Sequence, residues 1–505
     1  MSDERPCPPG EYPVVIVGSG PGGLQLSYDL RRLKIKHALI SKDIGPAGMF
    51  RRFPMFGRLI TCSRPHAIVE CGCPAYFRYD WNSLVANQTE HQALVTEFMD
   101  GDNYFPSRAE MEASITAFAE RGGVEVRYEC EWTSTRREDD GSFVLGTSDG
   151  EYRAKVLVFA VGMIEPWRPP TPGIEEVPHY VDIAATGIDY LKGKKVFIIG
   201  KRNSAFEIAN GLLPHACQLI LGSPHGVRPS IATGFPTAPR ARYVQPLEDA
   251  RFGGGTFVVD VALERIERTP DGYIVHADGT TGLGKVAFEV DEVIACTGFA
   301  TGLGDLRKLG VETFYKDRLP TQTPYWESTS AAGIYFAGAA TQGQAGMRKY
   351  GWPSHSASVS GFRFNAKVQA IEIARAHFGY EPPRRRIDPA KAVGYLLDQA
   401  TSEAAIWSQH SNLARQLSFD EAGAHDEGIS VLLDFVDSSG PDAIAITVET
   451  NLSGDLQPCA YVRRDGNVRE QVFGPAWMND FRTDENRARL AELLRGLGQN
   501  VPAAS

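Results

Sequence analysis

No apolar run in this chain is long enough to cross a membrane. The longest, such as 156–164, fall far short of the roughly 20 residues a spanning helix needs. Basic residues are outnumbered, 52 Lys and Arg against 62 Asp and Glu, and the net charge of −10 excludes the phosphate-neutralising surface of a nucleic-acid binder. Cysteine is thin, 8 in 505 residues, and too scattered for a disulfide framework. Cys71-Gly-Cys73, with Cys62 nearby, is the one close pair, and no C-x-x-C exists. No His or Cys set has metal-ligand spacing, so no metal site is expected; His66 and His355 read as packing or pocket-lining residues. The opening Met1-Ser-Asp-Glu-Arg-Pro holds no apolar signal core, from which a cytoplasmic location is expected. What is left, 43% hydrophobic and 23% charged, is the balance of a globular protein of two or three domains.

The strongest positive signal stands near the front. Val14-Val-Ile-Val17 reads as a buried strand delivered into Gly18-Ser-Gly20-Pro-Gly-Gly23, after which Leu24, Leu26 and Leu30 mark the inner face of a helix. Gly18, Gly20 and Gly23 fit G-x-G-x-x-G: a tight turn, room for a pyrophosphate against the backbone, and close helix-on-strand packing. The helix N-terminus adds unpaired amides and a positive dipole end, so a dinucleotide is expected here. About 20 residues on, where an acidic residue for the ribose hydroxyls is usual, stand Ser41 and Lys42, then Asp43. Residues 44–110 lack periodicity, a mark of a functional loop region. Ser107 and Glu110 then form a capping box for a helix to about Arg121. Strands are expected over 124–128, 143–147 and 153–159.

Residues 194–211 repeat the theme. Lys195-Val-Phe-Ile-Ile-Gly200 is again strand into turn, with Arg202 at the second glycine position and Ala205 at the third, followed by a strand at 218–221. An arginine there stands where a pyrophosphate would approach the backbone; a nucleotide site, built also from Asn203 and Ser204, is still the preferred reading over a unit kept for architecture. Lys201, Arg202 and Arg228 form a local basic cluster suited to the 2′-phosphate of NADPH. Later come a hairpin across Pro270-Asp-Gly, buried strands at 291–297 and 333–338, a helix over 356–377, and a Pro/Arg linker at 381–386 that reads as a solvated hinge. Residues 388–505 hold amphipathic helices, strands at 430–435, 443–448 and 459–463, and a last helix over 484–496.

The nested order, one dinucleotide unit inside another, resembles the two-dinucleotide-binding-domain flavoproteins, which include the class B flavin-containing monooxygenases and the pyridine-nucleotide disulfide reductases. The resemblance implies an α/β fold with two nested Rossmann-like domains and a small C-terminal α+β appendage. It places FAD on the first unit and NAD(P)H on the second. Ala160-Val-Gly162 and Cys296-Thr297-Gly298 fall at the domain-joining A-T-G motifs, and Gly338 falls where the flavin ribityl chain is met, with Ala339 where many relatives are acidic. Gly48-Met-Phe-Arg-Arg-Phe-Pro, Asp80-Trp-Asn-Ser-Leu, Asn203-Ser-Ala-Phe-Glu207 and Ser360-Gly-Phe-Arg-Phe-Asn-Ala look closest to the FAD-dependent oxidoreductase-domain family. That family's best known member works in the endoplasmic reticulum, a role not carried over. The implied domains are 1–185 and 293–380 for FAD, 186–292 for NAD(P)H, and 381–505 as the extension, which either covers the active site or builds a homodimer.

In the monooxygenases an asparagine supports a C4a-(hydro)peroxyflavin. Their motif is not matched at 59–65 here, which leaves Asn82 as the available carboxamide and Arg58 or Arg64 as the available charge. The resemblance thus implies an FAD- and NADPH-dependent monooxygenase that uses molecular oxygen on a small-molecule substrate, at an amine nitrogen among other options, with neither nucleic acid nor membrane as partner. The alternatives are a reductase, dehydrogenase or thiol oxidoreductase working through Cys71 or Cys73, and a flavin-bound protein whose second site Arg202 has closed.

Overall fold

Val14 to Val17 form the inner end of the strand Gly10–Val17, with all four side chains in the core. This strand runs parallel to His37–Ile40 on one side and to Gly150–Phe159 on the other. Parallel neighbours need a crossover, and the helix Pro21–Arg32 supplies the first. Gly150–Phe159 also pairs in parallel with Ile334–Phe336 and antiparallel with Phe143–Thr147, which carries Trp132–Arg137 at the edge. Val15, Val17, Ala38, Ile40, Leu157 and Phe159 pack into one buried cluster on this sheet. The capping box forms as read: Glu110 N–H donates to Ser107 Oγ at 3.2 Å, and Ser107 N–H to Glu110 Oε2 at 2.6 Å. The strand expected over 124–128 is reduced to one parallel bridge, Ile40 to Arg127.

The computed structural model describes residues 5–498 apart from 231–237, 283, 345 and 422. The chain divides into two units, one of Met1–Gly48, Thr61–Gly162 and Leu303–Ser505, the other of Met49–Ile60 and Met163–Gly302. The inserted stretch 186–292 lies wholly in the second unit, and 381–505 groups with the first.

The second unit repeats the plan. Lys195–Ile199 lies parallel to Gln218–Ser223 and Glu292–Ala295, and Gln218–Ser223 lies parallel to Thr256–Thr269. Thr256–Thr269 opens an antiparallel meander with Gly272–Gly279 and Gly284–Val290. An arm, Met49–Ile60, belongs to this unit and is tied to the helix that follows its glycine turn, Asn203–Leu212. Phe53 stacks on Tyr180 at 5.4 Å, and the Tyr180 hydroxyl and the Phe56 N–H donate to the two oxygens of buried Glu207 at 2.6 and 2.9 Å. Glu207, the acidic end of the Asn203-Ser-Ala-Phe motif, is therefore the anchor of the arm.

The terminal region forms its own antiparallel sheet, in the order 385–387, 423–431, 413–420, 443–450, 456–464, 467–472. The helices Ala392–Ser402 and Asp484–Gly496 bury Leu396, Leu397, Leu490 and Leu494 in the core that covers it. Two expectations change. Strand 430–435 turns to helix at Leu432, and the linker arginines lead into an edge strand, Arg385–Ile387, with Arg384 paired to Glu427 at 2.8 Å and Arg385 to Asp426 at 3.1 Å. The fold is mixed α/β, two nested Rossmann-like domains with a terminal α+β module. No described helix is long and apolar enough to cross a membrane.

Buried imidazoles give the fold a pH dependence. Loss of water pushes His179 and His410 down to about 4, and lowers His37 as well. Unfolded, each would protonate near 6.5. Between that value and about 4 the unfolded chain binds protons that folded His179 and His410 refuse, so stability is full above pH 6.5 and falls with acidification at about 1.4 kcal/mol per pH unit for each of these two. Urea unfolding midpoints should therefore drop steadily from pH 7 to pH 5. A flat profile over that range would mean these rings reach water or a partner in solution.

Candidate functional site

In the first unit the glycine turn shows which of its residues the fold requires. Gly18 has φ +109°, and a methyl there would sit 2.6 Å from the Ala160 carbonyl oxygen. A methyl on Gly23 would overlap the Gly18 carbonyl, and one on Gly22 would overlap the Gly338 backbone. Gly20 differs: nothing lies within 4 Å of the position a methyl would take, and its φ of −69° suits any residue. Gly20 caps the helix Pro21–Arg32, whose first-turn amides have no helical carbonyl to meet. A methyl on Gly48 would stand 3.6 Å from the Gly20 Cα and 3.5 Å from Asp43 Oδ2, so Gly20, Gly48 and Asp43 line one cradle. Ser41 is buried beside it, accepting from Ser19 Oγ at 2.8 Å. Lys42 is exposed and 3.7 Å from Glu131. Donor amides, missing side chains and an acidic residue at the strand end fit the pyrophosphate and ribose of a dinucleotide.

Sequence reasoning missed Gly22 and Asp43. The unbroken Gly20-Pro-Gly-Gly23 run was the available signal for the first, and a shift of two residues past Ser41 hid the second.

The second unit carries the same turn. Gly200, φ +130°, would place a methyl 2.5 Å from the Cys296 carbonyl, as Gly18 does against Ala160. Its N–H donates to Gly222 O at 2.8 Å, matching Gly18 N–H to Ile40 O at 2.8 Å. Gly162 and Gly298, φ +70° and +96°, are likewise equivalent. Arg202 caps the helix with its backbone, and its side chain is exposed, so it is not packed into the turn. Ala205 is fully buried and Ser204 half-buried in the first helical turn. Asn203 is engaged with the chain, taking the Arg240 N–H at 3.2 Å and donating to Ala238 O at 3.3 Å. Lys201 departs from the expected cluster: its buried ammonium is paired with Asp260 and donates to Val259 O at 2.8 Å. Only Arg202 and Arg228 of that cluster are exposed. Thr297 donates to Trp167 O, and the Gly298 carbonyl accepts from Trp167 N–H at 3.0 Å and His179 Nε2 at 3.1 Å.

Residues 15–338, spanning both turns, match the pyridine nucleotide-disulphide oxidoreductase family. The chain belongs to that family. It is a flavin-dependent oxidoreductase that uses FAD and NAD(P)H. Among curated relatives, the FAD-dependent oxidoreductase domain-containing protein 2 of Mus musculus is 23% identical over 435 residues, 79% of this chain and 63% of the relative. The Danio rerio protein of that name is 28% identical over 217 residues, 42% of this chain and 31% of the relative. The chain thus spans less than two thirds of the length of these relatives. Solved structures with this fold include the bacillithiol disulfide reductase of Staphylococcus aureus (TM-score 0.54, 14% identity, 73% of this chain and 99% of that one) and the ornithine N-hydroxylase of Kutzneria sp. 744 (0.54, 16%, 72% and 99%).

In this oxidoreductase the Asp80-Trp-Asn-Ser motif is a buried polar knot. Asp80 Oδ1 accepts from Ser63 Oγ at 2.6 Å and from the N–H groups of Asn82 and Ser83 at 3.0 and 3.1 Å. Asn82 spends both amide hydrogens inside it, on Thr61 O at 3.2 Å and Ser63 Oγ at 3.0 Å. It is therefore a structural tie with no donor left to offer, against the donor role expected for it. Trp81 is half-buried, its ring 5.6 Å from that of His355. His66 is exposed, so it is no packing residue. Arg58, half-buried, belongs to the arm of the second unit, where its carbonyl accepts from Tyr243 OH at 3.3 Å. All eight cysteines are free thiols. Cys71 and Cys73 line a cleft of about 600 Å³ with Phe77, Gln92, Lys367 and Arg415.

Proposed function

We propose that this oxidoreductase is a monooxygenase that takes electrons from NADPH and transfers one atom of molecular oxygen to a small metabolite, at an amine nitrogen. The state of the thiols carries the reading. A disulfide reductase passes electrons through a cysteine pair able to form a thiolate. Burial pushes the thiols of Cys130, Cys296 and Cys459 up, away from that state. Cys71 and Cys73 open on a cleft that shares no lining residue with the glycine turn. On this reading oxygen is the acceptor. The amine choice follows the ornithine N-hydroxylase that shares the fold.

Bound FAD supplies the two-electron chemistry between the nicotinamide and oxygen. The chain's part is to hold and shelter it. The N–H groups of Gly20, Gly22 and Gly23 and the helix dipole bind the pyrophosphate, Ser41 and Asp43 the ribose hydroxyls, and the turn at Gly338 the ribityl chain. In the second unit the open turn between Gly200 and Ala205 takes the NADPH pyrophosphate, while Arg202 and Arg228 meet its 2′-phosphate. Asn82 acts as a positioning residue, fixing the 61–63 segment against the motif, while Trp81, tied by its own N–H groups to Arg78 O and Cys62 O, is the wall that sheds water. Arg58 is the candidate cation on the arm.

A second reading, a thiol oxidoreductase, has the Cys71–Cys73 cleft behind it. Oxygen uptake and NADPH consumption, followed with a panel of amines and diamines, separate the two. On the first reading a substrate amine speeds NADPH consumption and lowers peroxide release, and Cys71→Ser/Cys73→Ser keeps full turnover. Disulfide-dependent NADPH oxidation that the double substitution abolishes would install the second.

A further inference from the structure

Residues 381–505 have no task in that scheme, yet within the first unit they reach the cofactor turn. The loop that follows Gly338 is held from the terminal module: Met347 N–H donates to Ser411 O at 3.0 Å and His355 N–H to Ser408 O at 3.1 Å. Ser411 adopts φ +57°, a left-handed conformation costly for a serine and kept only where surroundings impose it. Next to it Gln409 is fully buried, and its Oε1 accepts from Ser356 Oγ at 3.1 Å. Ser356 Oγ and Thr341 Oγ1 both accept from Asn365 Nδ2 at 3.0 Å. Thr341 Oγ1 donates to Gly338 O at 2.7 Å, and Gly338 packs on Gly22 in the phosphate turn. The connection is fitted closely. A methyl on Gly361, in the helix Val359–Phe378, would overlap the His355 carbonyl and stand 2.7 Å from Gln409 Nε2.

We propose that the turn 408–412 of the terminal module is a positioning element for FAD, fixing Ser356 through Gln409 and thereby the Gly338–Gly343 turn that meets the cofactor. The inference rests on FAD binding by the first unit and not on oxygen insertion, so a failed hydroxylation assay leaves it standing. It makes the terminal module a part of the cofactor site.

The test is titration of the full-length apo-protein with FAD, with thermal unfolding of the apo-protein and the visible absorbance of the bound flavin as further readouts. Gln409→Leu and Ser356→Ala each remove the bond and should weaken FAD binding about ten-fold. Combined, they should weaken it no further than Ser356→Ala alone, because the bond that Gln409→Leu deletes is one of those that Ser356→Ala already removes. Gln409→Glu keeps the accepting oxygen, and Gln409 Nε2 has no hydrogen-bond partner among the described residues. That variant should bind FAD within about two-fold of the parent at mildly acidic pH, where a buried carboxyl keeps its proton. It should also restore the parent flavin spectrum. Unchanged affinity in folded Gln409→Leu overturns the proposal. So does a loss that tracks apo-protein melting and is not recovered by Gln409→Glu. Should Gln409→Leu not fold, Ser356→Ala carries the same decision from the cofactor side.

Discussion

Gly20→Val yields a protein that folds like the parent and has lost FAD, with affinity down by about 100-fold or more. The backbone at Gly20 sits at φ −69°, open to every residue, and nothing in the chain lies within 4 Å of a methyl there. The fold has no use for glycine at this position; only something arriving from outside does. A valine would stand over the first-turn amides and hold a pyrophosphate away from them. The contrast is Gly23→Ala, where the new methyl overlaps the Gly18 carbonyl, a backbone atom that cannot yield cheaply. That variant should lose stability first and cofactor as a consequence. Thermal unfolding without FAD, beside FAD titration, distinguishes the two. A Gly20→Val protein that binds FAD as the parent does would remove the pyrophosphate from this turn.

The two glycine turns were legible because their chemistry is local. A strand, a tight turn and a helix start are written within about ten residues, and close backbone approach leaves only glycine or alanine as a solution. The same holds for the Ser107 capping box and the last helix, Asp484–Gly496, opened by Thr483 as its cap. Partners far apart in the chain were not legible. Lys201 stood in the right place for a phosphate, but Asp260, 59 residues away, takes its charge. Asn82 had the right functional group, but Thr61 and Ser63 spend it, 21 and 19 residues off. The arginines at 384 and 385 read as a solvated hinge for the same reason, since Glu427 and Asp426 lie on a strand whose pairing only the folded sheet reveals. Leu413–Asp420 escaped notice because its alternation is broken by Arg415 and Gln416, whose partners Asp426 and Ser430 are again across the sheet. A polar side chain announces a capacity; whether that capacity faces a ligand or a distant strand is decided by packing.

Arg363→Met should cost about 3–5 kcal/mol of stability, the toll of leaving three buried carbonyls without their charged donor. Arg363 is wholly buried in the helix Val359–Phe378, and its guanidinium donates to the carbonyls of Phe77 and Asp80 at 2.8 and 2.7 Å, and of Ser83 at 2.5 Å. Burial pulls its basicity down to about 10, with Asp80 pulling the other way, so it stays charged at neutral pH. Methionine matches its length and apolar stem but leaves three buried carbonyls without donors and removes the positive charge that the nearby Asp80 carboxylate favours. Lysine keeps the charge on one nitrogen that cannot reach all three carbonyls, and should recover only part of the loss. Urea unfolding of Arg363→Met, Asp80→Asn and the double variant measures the coupling; a deficit smaller than the sum of the single effects shows one shared network. This experiment also decides what the Asp80-Trp-Asn-Ser motif is for. A large, coupled loss makes it the knot that locks the 61–83 loop to the helix beside the cofactor turn, with Asn82 held as one of its ties. A parent-like Arg363→Met would mean the fold does not need the knot, and the Asn82 carboxamide would return as a group kept for the flavin.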